Sequence, residues 1–93
     1  MTQADLLTLL QADLNILSPD ATRLAQLQHL IATAIQLIAR EGAMLQEPYS
    51  IEDGHLIVMY AAYLFRKRAT EEPMPRMLRW ALNNRIFGEK AKQ

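Results

Sequence analysis

Ten consecutive residues without a charge, Leu56 to Phe65 in "LIVMYAAYLFRKR", do most to limit how this chain can fold. They are closed by Glu52 and Asp53 on one side and by Arg66, Lys67 and Arg68 on the other. Such a run ending in basic residues can mark a membrane segment, but at 1.5 Å per residue it covers about 15 Å, half of a hydrocarbon layer of roughly 30 Å. A helix that is apolar on every side and too short to span a bilayer is expected at the centre of a bundle. Leu56, Met59, Tyr60, Tyr63 and Leu64 are therefore core candidates, with Phe65 beside them.

Three further helices assemble around it. Thr2 with Asp5 makes a capping pair, after which Leu6, Leu7, Leu10 and Leu14 share one side, and the helix ends near Asn15 to Leu17. In "SPDA", Ser18 is expected as N-cap with Pro19 in the first turn and Asp20 on the helix dipole. Leu24, Leu27, Ile31, Ile35 and Ile38 then form a stripe widened by Leu30, Ala34 and Leu37, too broad for one partner helix, and Gly42 ends it. Leu27 and Ile31 join the expected core. Ser50 with Asp53 starts the third helix, and Pro75 the last, which is expected to stop near Ile86 with Gly88 as terminator. The three glycines read as helix-end devices. The expected fold is an all-α, compact bundle of about four helices, with residues 1–88 as one domain and 89–93 as a flexible tail.

Composition excludes several chemistries. There is no cysteine, hence no disulfide, thiolate metal site or cysteine nucleophile. His29 and His55 lie in separate helices without metal-ligand spacing, so no metal or cofactor is expected. No phosphate-binding glycine loop or nucleophile elbow occurs, and Glu52 with Asp53 is better read as a helix start than as an acid–base pair, so no enzyme is expected. The amino terminus MTQADLL lacks the basic region of a targeting peptide.

Hydrophobic residues make up 51%, a little high for a soluble domain of 93 residues, and subunit contacts are the ordinary way to cover the surplus. Charge is polarised: seven acids face two arginines from Met1 to Leu64, net −5, whereas eight bases face three acids from Phe65 to Gln93, net +5. Such a chain can dock head to tail on copies of itself. Arg66, Lys67, Arg68, Arg76 and Arg79 are expected to meet acids of an adjacent subunit. In "PRMLRWALNNRIF", Met77, Leu78, Ala81, Leu82 and Ile86 are expected on an apolar side. Trp80, Asn83 and Arg85 complete the expected interface, since arginine and tryptophan dominate protein contacts. The same helix keeps open the alternative of a small DNA-binding regulator.

The run "DGHLIVMYAAYLFRKR" followed by "MPRMLRWALNNRIFGEK" resembles the head–tail connector (adaptor, head-completion) proteins of tailed bacteriophages. The likeness extends from Asp5 to Lys90 and is most specific from Asp53 onwards. It implies a structural virion protein, assembled in the host bacterial cytoplasm and placed at the head–tail junction. There it would form an oligomeric ring between the portal protein and a stopper or tail-completion protein, extending a channel that DNA crosses non-specifically. Portal engagement would fall on the segment from about Arg76, and the five residues after Gly88 suggest no long portal-embedded arm.

Overall fold

A computed structural model of the chain describes residues 1–91. It contains four helices and, among the described residues, no strand: α1 (Gln3–Asp13), α2 (Ala21–Glu41), α3 (Ile51–Lys67) and α4 (Arg76–Ala91). The all-α bundle expected from the sequence is the observed fold. α1, α2 and α3 pack on one another, and α4 lies mainly against α3.

Local chemistry sets most helix ends. Thr2 and Asp5 form a full capping box: the Thr2 side chain accepts the Asp5 N–H, and Asp5 Oδ2 accepts the Thr2 N–H at 2.9 Å. α1 closes with Asn15 in the left-handed region (φ 58°), its N–H donating to Ala12 O while Ile16 N–H donates to Gln11 O. Gly42 (φ 123°) closes α2 by the same pair of bonds, to Ala39 O and, through Ala43, to Ile38 O. The start of α2 differs from expectation. Its N-cap is Asp20, whose carboxylate accepts the Arg23 N–H at 2.7 Å, and Ser18 and Pro19 stay outside. Of two competent caps two residues apart, the ionised one makes the stronger bond. α4 also departs from expectation, running through Gly88 to Ala91. Arg85 bonds Glu89 across that glycine at 2.7 Å, an i, i+4 link that carries the helix past it. Residues 92–93 of the expected tail lie outside the described residues.

α3 is buried nearly all round: Leu56, Ile57, Val58, Tyr60, Ala61, Ala62 and Tyr63 all belong to the core. The rings of Tyr60 and Tyr63 meet edge to face at 6.2 Å. Burial pushes the Tyr60 hydroxyl pKa up, and the nearby Glu41 charge adds to it. Met59 and Leu64 are half-buried at its margin. Phe65 is half-buried too, with the Arg23 guanidinium 5.4 Å over its ring, so it edges the core and does not fill it. Opposite α3 stand Leu27, Leu30, Ile31, Ala34 and Ile38 of α2, Leu6 and Leu10 of α1, and Leu78 and Leu82 of α4.

The connection between α2 and α3 is fastened to the amino terminus. The Met1 ammonium donates to Tyr49 O and the Tyr49 N–H to Met1 O, both at 2.7 Å, while the Gln3 N–H donates to Glu47 Oε1. This brings Met1 over Gly54, which is not a simple helix-end device. A Cβ there would lie 2.7 Å from Met1 Sδ and 3.1 Å from buried Leu6 Cδ2. Gly88 has no atom within 4 Å of such a Cβ. Two alanine substitutions should therefore diverge. Gly88→Ala is expected to stabilise by about 0.5–1 kcal/mol through helix propensity alone. Gly54→Ala is expected to lose about 1 kcal/mol net as Leu6 is forced aside. Urea unfolding of both checks this, and equal effects would mean that Gly54 is not packed as described.

Asp5 gives the fold a pH-sensitive edge. Its carboxyl is held below the ordinary value, chiefly by the Thr2 N–H. A lowered folded pKa contributes stability that is present above the unfolded value and lost as pH falls through the folded one. Asp5→Asn should therefore lower the melting temperature at pH 7 and narrow its gap to wild type below about pH 4. Parallel thermal melts between pH 2 and 7 test this.

Candidate assembly surface

The eight side chains expected at an interface fall into three environments. The first group is consumed within the chain. Arg66 pairs with Asp13 at 3.5 Å, Arg79 with Glu41 at 2.7 Å, and Arg85 with Asp53 at 2.8 Å and Glu89 at 2.7 Å. Hydrogen bonding to Glu41 raises the Arg79 pKa, and bonding to Asp53 and then Glu89 raises that of Arg85. Three of these pairs join the basic third of the sequence to its acidic part. Part of the −5/+5 split is thus met by folding, and in the single chain Arg66 and Arg79 each already have a carboxylate partner while staying partly exposed.

The second group is the end of α3. Lys67 Nζ sits 5.7 Å from the Tyr63 ring centroid, and Arg68 is exposed at the helix cap. With Arg23 of α2 they border a shallow basic edge, to which His29 contributes.

The third group lies on α4, where the sequence puts Met77, Leu78, Ala81, Leu82 and Ile86 on one apolar side. Leu78 and Leu82 are fully buried against α3, and Ala81 and Ile86 are half-buried. Met77, expected with them, points the other way and is 70% exposed. Trp80 (68%) and Phe87 (75%) share its side, with exposed Asn84 between them. Positions 77, 80, 84 and 87 follow 3-4-3 spacing, so they form one stripe along a helix. Arg76, Asn83 and Lys90, all exposed, run along one edge of the stripe at seven-residue intervals. Sequence reading found Trp80 and Asn83 and missed Met77 and Phe87. The spacing was there to be seen, but two apolar faces on one helix cannot be ranked without knowing which meets α3.

A groove opens between this stripe and α3, lined by Glu52, His55, Leu56 and Met59 on one side and by Trp80 and Asn84 on the other. Arg85 and Asp53 form part of its wall, their charges spent on each other. Among the described residues no group of three or more acids or histidines could hold a metal ion. None of the described helices is long and apolar enough to cross a membrane. No protein-family model, curated protein or solved structure matches the chain.

Proposed function

We propose that the protein is a structural subunit of a head–tail connector: a ring of identical copies between a phage portal and a stopper or tail-completion protein. It would act in the virion without catalysis, its channel passing DNA non-specifically. One observation carries this reading. Met77, Trp80 and Phe87 leave apolar area on the order of 400 Å² facing solvent, within the range of the largest patch that a monomer of this kind carries, which is often functional. The order of helices and the resemblance from Asp53 to Lys90 favour a connector over other assembling helical proteins. The DNA-regulator alternative has less to stand on, since two of the three arginines of α4 are engaged by carboxylates.

With the charges largely paired inside the protomer, assembly is expected to depend on apolar burial. Native mass spectrometry and light scattering of the wild type should show a closed species of many subunits. That species should persist from 50 mM to 500 mM salt, where exposed ion pairs are screened. A chain that stays monomeric at all concentrations yet binds duplex DNA with steep salt dependence would sink the connector reading in favour of the regulator.

A further inference from the structure

We infer that the carboxyl end of α3, with the flank of α2 beside it, holds the phosphate backbone of a nucleic-acid duplex without regard to sequence. This surface is separate from the apolar stripe of α4, and the contact does not rest on the ring.

Two shallow hollows share Arg68 as a wall. One lies between Arg23 and Gln26 of α2 and Phe65 of α3, the other between His29 and Thr33 of α2 and Lys67 of α3. Positions 23, 26, 29 and 33 follow one side of α2, so the hollows adjoin along a face about 15 Å long. Arg23, Lys67 and Arg68 are all exposed, and no carboxylate lines either hollow. The groups that hold two of these cations are neutral. Arg23 lies over the Phe65 ring and donates to Gln26 Oε1 at 3.2 Å, and Lys67 sits against the Tyr63 ring. Their charge is therefore not cancelled, as that of Arg79 and Arg85 is by Glu41, Asp53 and Glu89. Of the acids nearby in the chain, Asp13 pairs with Arg66 and Asp20 caps α2, while Glu71 and Glu72 line neither hollow.

Charge without apolar area selects the occupant. A protein interface is built around buried apolar anchors, yet none of the large apolar side chains that the fold leaves exposed lines this face. The same lack leaves nothing to enter a bilayer. Nucleic-acid interfaces are instead polar and strongly positive. Unpaired bases need an open aromatic ring to stack on, and the Phe65 ring is covered by the Arg23 guanidinium. A duplex needs no such ring. Its phosphates recur about every 3.4 Å along each strand, so the face spans about four of them. Three cations meet these phosphates, and His29 and Thr33 add neutral donors. By contrast, Arg76 and Lys90 of α4 stand about 21 Å apart on one helix, with Trp80 and Phe87 between them.

Fluorescence anisotropy of a short labelled DNA duplex of arbitrary sequence tests the contact, with salt varied between about 50 and 200 mM. For the wild type, log K is expected to fall against log salt with a slope of about −2.7 per engaged protomer, three phosphates at about 0.9 each. Lys67→Gln combined with Arg68→Gln should leave about a third of that slope and weaken binding at least about tenfold at 100 mM salt. Arg76→Gln combined with Lys90→Gln should change neither. All four positions are exposed, and circular dichroism should confirm an intact fold. Arg23→Gln, expected to remove about a third of the slope, serves should the first pair misfold. No duplex binding at low salt, or a loss that follows the α4 pair and not the α3 pair, would overturn the contact. So would tighter binding of a single strand of the same length, or of poly-glutamate, which would make the face a dock for unpaired bases or for an acidic protein. Light scattering of the same samples keeps assembly apart. A wild type that binds the duplex through Lys67 and Arg68 without forming a ring keeps the contact and loses the connector, whereas an intact ring with no duplex affinity loses the contact alone.

Discussion

Replacing Ile57 with alanine should cost about 3–4 kcal/mol, a large share of the roughly 5–10 kcal/mol expected for a domain of this size. Ile57 is wholly buried at the middle of α3, the helix against which α1, α2 and α4 all pack. Removing three carbons there loses their transfer free energy and leaves a cavity. That cavity is slow to collapse, because its walls belong to different helices. The melting temperature should fall by about 12–25 °C, read by differential scanning calorimetry or urea titration. Ile51→Ala in the same helix is the internal control: the side chain is 80% exposed, and a change within about 0.5 kcal/mol is expected. Similar losses at the two positions would show that α3 is not the centre of the bundle.

The second large effect is expected at Arg85. Its guanidinium donates through Nε to Asp53 Oδ1 at 2.8 Å and through Nη1 to Glu89 at 2.7 Å, with Nη2 3.5 Å from Asp53 Oδ2. All three side chains are at least two-thirds shielded from solvent. Arg85→Ala removes the cation and leaves two carboxylates in reach of one another, so a loss of about 2 kcal/mol is expected. The loss should shrink when Asp53→Asn is added, giving a coupling energy of about 1 kcal/mol in a double-mutant cycle. Arg66→Ala provides the contrast: its pair with Asp13 is longer and half-exposed, and a change near zero is expected. Additive behaviour of Arg85→Ala and Asp53→Asn would mean that the pair does not fasten α4 to α3.

These two sites differ in how far they can be read from the chain itself. Ile57 sits inside an uncharged run whose length and flanks already require burial of the helix, but the residues singled out from that run are Leu56, Met59, Tyr60, Tyr63 and Leu64, and only the packing puts Ile57 at the centre. Arg85 and Asp53 are 32 residues apart, and Arg79 and Glu41 are 38 apart. A sequence shows that acids and bases are segregated, but not whether they meet within one copy or between two. In the folded chain three such pairs meet inside the protomer.

Gly54 makes the same point on a smaller scale. In sequence it is a glycine in a first helical turn, cheap because fraying is expected there. In space Met1 and Leu6 occupy the room that a Cβ at this position would need. The Asp20 cap and the continuation of α4 past Gly88 are milder instances, in which two local signals competed and neighbouring bonds chose between them.

By itself, the sequence determined what depends on interactions within about four residues. Those are the four helices, the caps at Thr2 and Ser50, the stop at Gly42 and the burial of the uncharged helix. Tertiary structure alone decided which arginines are spent, which glycine is packed, and which face of α4 is left outside. Leu78 and Leu82 meet α3, so Met77, Trp80 and Phe87 on the opposite side must face solvent. Helix periodicity sorts residues into faces, but only the packing of one helix on another decides which face is covered.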